Sequence, residues 1–104
     1  MNGRRIGDYK WNEVVAPDTL RSLSVTTTGP ATLVAAWWGD ADVQPTSQTA
    51  VPDGGFTVIG SVLFSGALVQ CSIATKDVAD AGTYDVTWTA TPTQGAQLWL
   101  VAVE

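Results

Sequence analysis

Three carboxylates, one thiol and a surplus of indoles are the groups in this chain with chemistry to offer. Asp40 and Asp42 are separated by one alanine, and Asp53 follows across a stretch rich in Pro, Gly, Ser and Thr. Carboxylate and carbonyl oxygens on a flexible loop are what Ca²⁺ takes. Asp beside Gly and Pro is also ordinary turn chemistry, and the Asp40-Ala41-Asp42 spacing is too short to single out a metal, so no metal or cofactor is expected. Cys71 is the single cysteine and there is no histidine. A Ser or Cys nucleophile therefore lacks its usual base. The alternating apolar run around Cys71 predicts a thiol turned into the core, where it is inert. Glycoside hydrolysis needs two facing carboxyl groups, yet the aspartates fall in turns while Glu13 and Glu104 lie near the ends. No catalytic set assembles from these residues, and the chain reads as a non-enzyme.

Five tryptophans in 104 residues are the stronger anomaly. Alternation places Trp37 and Trp88 in a core. Trp38 then falls on the face opposite Trp37, and Trp99 on the face opposite Leu98 and Leu100. An indole offers contact area with little side-chain entropy to lose, which suits a protein interface or a platform for a sugar ring. Trp11, Trp38, Asp40, Asp42, Asp53 and Trp99 are therefore the candidate ligand-binding or partner-binding residues.

The elements that must position them read as strands. Gly82 to Val103 is the organising stretch: Val86, Trp88 and Ala90 alternate with Asp85, Thr87, Thr89 and Thr91, which gives one buried and one wet face. After Pro92 to Gly95 the chain resumes as Leu98 to Val103, apolar on both sides, and the pair is expected to form a hairpin. Before it come an edge strand around Tyr9 to Val15 and a strand over Leu20 to Thr28 with Leu23, Val25 and Thr27 inward. Next is Thr32 to Trp38, apolar on both faces, followed by a long loop over Gly39 to Gly55 with an optional short strand at Gln48 to Val51. Phe56 to Phe64 then carries Phe56, Val58, Val62 and Phe64 in register around Gly60, which marks a bulge or a close backbone approach. Ser65-Gly66 makes a turn into Ala67 to Thr75, with Ala67, Val69, Cys71 and Ile73 inward and Gln70 and Ser72 outward. The sum is an all-β, antiparallel β-sandwich of about seven strands. Residues 1–18 form an N-terminal arm and edge strand, and residues 19–104 the single sandwich domain.

Asp80-Ala81-Gly82-Thr83-Tyr84-Asp85-Val86 resembles the D-A-G-x-Y-x-C signature of immunoglobulin-like domains, in which Asp and Tyr pin the corner before the F strand. The resemblance implies that Tyr84 is the corner tyrosine, that Val25 and Val86 stand where the cysteines usually sit, and that Trp37 is the core indole. Both cysteines are missing, as in bacterial and viral modules without the disulfide. The same string of short strands also suits a jelly-roll Greek key. In outline the chain is similar to small β-sandwich modules of phage particle proteins and of bacterial surface or secreted proteins.

Composition narrows the partners. A net charge of −5, with only Arg4, Arg5 and Lys10 clustered, argues against a nucleic-acid surface, since phosphate binding needs clustered Lys and Arg. No segment has the length of a membrane span or the apolar core of a signal peptide. Two functional classes remain. One is a structural module of a virion or extracellular surface, a decoration, fibre or tail protein that self-associates or docks on a larger assembly. The other is a carbohydrate-binding module using Trp11, Trp38 and the 39–55 loop.

Overall fold

The computed structural model describes residues 4–15, 18–39, 48–63, 70–91 and 94–104. Among them the chain is all-β, and the strands pair antiparallel throughout. The strands are β1 (Ile6–Val14), β2 (Leu20–Arg21), β3 (Val25–Thr27), β4 (Ala31–Gly39), β5 (Thr49–Pro52), β6 (Thr57–Val62), β7 (Gln70–Val78), β8 (Gly82–Tyr84), β9 (Thr87–Thr91) and β10 (Ala96–Val103). One sheet has the order β1-β10-β4-β7-β6, and against it lie the shorter sheets β2-β9-β5 and β3-β8.

The core combines very large with very small side chains. Trp37 and Trp88 are buried with Leu20, Leu33, Leu98 and Leu100, and the space around them is lined by seven alanines: Ala31, Ala35, Ala50, Ala74, Ala90, Ala96 and Ala102. An alanine opposite an indole lets two sheets approach while the ring fills the gap. Gly39 shows how tight the fit is: a Cβ built there would lie 2.3 Å from Cη2 of Trp37. Neither Trp37 Nε1 nor Trp88 Nε1 finds an acceptor. These rings serve by volume, not by hydrogen bonding.

Several strands turn a different side inward from the one their sequence suggests. Between β2 and β3 the ladder to the opposite strand slips by one residue. Leu20 pairs with Trp88 and Arg21 with Thr87, whereas Val25 pairs with Tyr84 and Thr27 with Gly82. The extra residue reverses the alternation, so Leu20 and Ser22 point inward before the slip, Val25 and Thr27 after it, and Leu23 is left exposed. Ser22 bridges the break: its N–H donates to the Val86 carbonyl and its Oγ accepts from the Val86 N–H.

In β7 it is Gln70, Ser72 and Ala74 that are buried, while Cys71 and Ile73 occupy the outer side. The pairing with β4 dictates this, because Ser72 lies opposite Trp37 and Cys71 opposite Trp38. A small residue has to face the indole. Gln70 is instead satisfied internally, accepting from Gln94 Nε2, which also donates to Gln48.

β6 pairs with β7 as the expected hairpin requires, with a register shift between Val58 and Gly60, yet the strand is exposed along its whole length. The shift splits the apolar residues expected on one side: Val58 pairs with Ala74 on the core side, whereas Val62 pairs with Cys71 on the outer side. Phe64 and the Ser65-Gly66 turn lie outside the described residues.

The closing hairpin is also corrected. β9 pairs with β2 and β5 in one layer, and β10 pairs with β1 and β4 in the other. β9 and β10 lie in different sheets, so that Trp88 and Leu98 enter the same core from opposite sides. Strand β1 is a full member of the larger sheet, matched to β10 from Ile6↔Val103 to Val14↔Ala96.

At the crossover into β8 the Tyr84 hydroxyl donates to the Asp80 carbonyl at 2.7 Å. The ring lies back over Gly82, where an added Cβ would be 3.3 Å from the phenol oxygen. Tyr84→Phe removes this bond and keeps the ring. The expected result is a loss of about 1 kcal/mol, read as a lower urea midpoint at unchanged slope; an unchanged midpoint refutes a stabilising role for the corner.

Candidate interaction surface

The strand register gathers the tryptophans. Trp11 of β1 lies opposite Trp99 of β10, Trp99 opposite Ala36 of β4, and Ala36 opposite Ile73 of β7. One row along, Glu13, Gln97, Trp38, Cys71 and Val62 are matched in the same way across the five strands. A third row runs Tyr9, Val101, Val34, Thr75 and Thr57. All three rows point away from the core, since the residues between them in β4 and β10 are the buried ones.

The outer face of the large sheet is therefore aromatic and aliphatic. Tyr9 is 60% exposed, Trp11 50%, Trp38 51% and Trp99 38%, which marks this face as uncovered among the described residues. The Trp11 and Trp99 rings stack on each other, with centroids 5.8 Å apart and planes inclined by 21°. Stacking holds both rings before anything binds, so little rotamer entropy remains to be lost.

The polar groups of this face lie at its margins. Glu13 stands at one corner beside Gln97. At the other end Arg4 donates to Thr32 Oγ1 (2.8 Å) and to the Val103 carbonyl (3.1 Å), and Thr32 Oγ1 donates to Asp77 (2.7 Å). This chain of bonds holds Arg4 across the ends of β10 and β4.

The inner side of β1 does different work. Asp8 Oδ2 accepts from the Thr26 N–H, while Asn12 donates to the Arg21 carbonyl and accepts from the Leu23 N–H. Side chains of the edge strand thus close the gap to the second layer. The Lys10 ammonium, 2.8 Å from Asp8 Oδ1, and then the Thr26 N–H hold the Asp8 carboxyl below its ordinary value of 3.8. A carboxyl with a lowered native pKa adds stability above its unfolded value and loses it as pH falls through the native one. Wild-type stability is therefore expected to fall below about pH 3.8 through this group. Asp8→Asn should flatten that part of the acid limb in a pH series of denaturation midpoints, and an identical limb in the variant would contradict the assignment.

The candidate residues separate accordingly. Trp11, Trp38 and Trp99 share one face. Asp53 sits in the other layer as a turn residue: its Oδ1 accepts from the Thr87 N–H, its N–H donates to the Thr87 carbonyl, and its own carbonyl accepts from Phe56 N–H across Gly54 and Gly55, both at positive φ. Asp40 and Asp42 lie outside the described residues. Tyr9, Val62, Cys71 and Ile73 belong to the face although the sequence reading did not select them. Tyr9 was accessible through its two-residue spacing from Trp11; the others depended on the pairing of β7.

Compared with protein-family models, with curated proteins and with solved structures, the chain finds no match in any of the three.

Proposed function

We propose that this chain is a non-catalytic structural or interaction module that joins a larger protein assembly through the outer face of its five-stranded sheet, in the manner of a decoration, fibre or tail part on a virion or extracellular surface. The observation that supports it is the gathering of Trp11, Trp38, Trp99 and Tyr9 on one sheet face that is uncovered among the described residues. An apolar patch of this extent on a β-sheet is what a protein interface buries. On topology, the pairings are nested: β1 with β10, β2 with β9, β3 with β8 and β4 with β7. A long hairpin rolled on itself gives this order, which favours the jelly-roll branch of the sandwich reading. In an immunoglobulin-like domain the strand after the tyrosine corner shares a sheet with the closing strand, whereas here β9 and β10 are in separate sheets.

Carbohydrate binding is a second reading with its own support, because Glu13 and Gln97 lie beside the Trp11, Trp99 and Trp38 rings and offer hydrogen bonds next to a stacking platform. Co-expression with the proteins encoded beside it, followed by size exclusion, tests the first reading. The chain should co-migrate with an assembly, be released by Trp11→Asp with Trp99→Asp, and be retained by Thr89→Asp on the opposite layer. Glycan-array binding that Trp38→Ala abolishes, in a chain that enters no assembly, would replace it with the second.

A further inference from the structure

We infer that the occupant of this face is a second copy of the chain, packed sheet to sheet about a two-fold axis that runs along β4. The inference rests on the interaction-module reading and specifies its partner.

The first argument is shape. Strand β4 is the middle of the sheet, with β1 and β10 on one side of it and β7 and β6 on the other. The first half of the outer face is bulky, carrying Tyr9, Trp11 and Trp99. The second half carries no ring and is lower, with Cys71, Ile73 and Thr75 on β7 and Val62, Gly60 and Thr57 on β6 in the matching rows. A two-fold axis along β4 lays β10 of one copy over β7 of the other and β1 over β6, so that Tyr9, Trp11 and Trp99 meet the low half while Val34, Ala36 and Trp38 meet their own mates along the axis. An axis across the strands would lay the bulky half of one copy on the bulky half of the other and leave a gap over the low half.

The second argument is charge. Among the described residues this face carries one cation, Arg4, and two carboxylates, Glu13 and Asp77, in a chain of net charge −5. The same axis brings Arg4 of one copy over Asp77 of the other, because Arg4 spans the ends of β10 and β4 while Asp77 lies at the same level on β7. Glu13 falls over Val62 of the other copy, so among the described residues no like charges are stacked.

The third is size. Five strands at about 4.8 Å spacing and nine residues at roughly 3.4 Å make a face of about 700 Å². That is close to the roughly 800 Å² per partner of a stable interface.

Sedimentation of the purified chain from low to high micromolar concentration tests this. A monomer–dimer equilibrium is expected, with Cys71 alkylation slowing as the dimer forms, since Cys71 lies beside Trp38 on the buried face. Trp99→Asp should weaken the dimer by about 30-fold or more, while Thr89→Asp leaves it intact. In a Cys71→Ser background, Ala36→Cys should cross-link to its own mate through a short bis-maleimide, and Thr89→Cys should not. Arg4→Glu should weaken the dimer, and Arg4→Glu with Asp77→Arg should restore it. A chain that stays monomeric at high concentration overturns self-association, as does a dimer indifferent to Trp99→Asp or lacking the Ala36→Cys cross-link. The co-assembly experiment reads the broader function independently, because a monomeric chain can still enter a mixed assembly through the same face.

Discussion

Gly39→Ala is expected to destabilise the fold by about 3 kcal/mol, at the upper end of what overpacking a core costs. The backbone of Gly39 is not in the left-handed region, so the penalty is purely one of space. The added methyl would sit 2.3 Å from Cη2, 2.8 Å from Cζ3 and 2.9 Å from Cζ2 of Trp37. The ring has nowhere to retreat. It is fully buried, lies two residues along the same strand, and is flanked in register by Leu98 and Ser72. A double-mutant cycle isolates this mechanism. In a Trp37→Leu background the far end of the indole is gone, so the same glycine substitution should become nearly neutral, with a coupling of about 2 kcal/mol or more. Urea midpoints of the four proteins supply the cycle, and additive losses would show that the ring is not the obstacle.

Leu98→Ala is expected to cost about 3 kcal/mol, within the range for truncating a buried leucine. Leu98 is fully buried beside Trp37 on β10. What sets its cost is the character of its surroundings. A leucine-rich core relaxes into a vacated volume by changing rotamers, but much of this core is alanine, and alanine has no side-chain torsion with which to fill a hole. The cavity should persist, leaving the rigid rings without partner atoms on one side. A thermal melt lowered by several degrees, together with uptake of a small apolar probe such as xenon, is the expected result. A loss under about 1 kcal/mol would mean that the sheets close up around the site.

The same core explains how far the sequence could be read. Trp37 and Trp88 were expected in the core, and both are buried there, with Leu98 and Leu100 on the side of β10 opposite Trp99. Trp38 and Trp99 were legible for the same reason, as the residues left on the other side of those strands. The reading went wrong at Leu23, Cys71 and Ile73. A one-residue slip in the β2/β3 ladder reversed the phase at Leu23, and a slip of that kind leaves no mark on composition. Cys71 and Ile73 look more apolar than Gln70 and Ser72, but the ring across the β4 ladder selected the smaller Ser72. Asp53 likewise has the composition of a ligand loop and the contacts of a turn.

Alternation of apolar and hydroxyl-bearing residues, with Gly and Pro between the runs, was by itself enough to determine an all-β chain of antiparallel sheets. Side-chain direction in a strand depends only on neighbouring residues, and that information is local. Which strands became neighbours, where the ladder slipped and which apolar side stayed uncovered were decided only in the tertiary structure. Those outcomes depend on matching volumes across the core and on the second layer being narrower than the first, and both are relations between residues far apart in the chain.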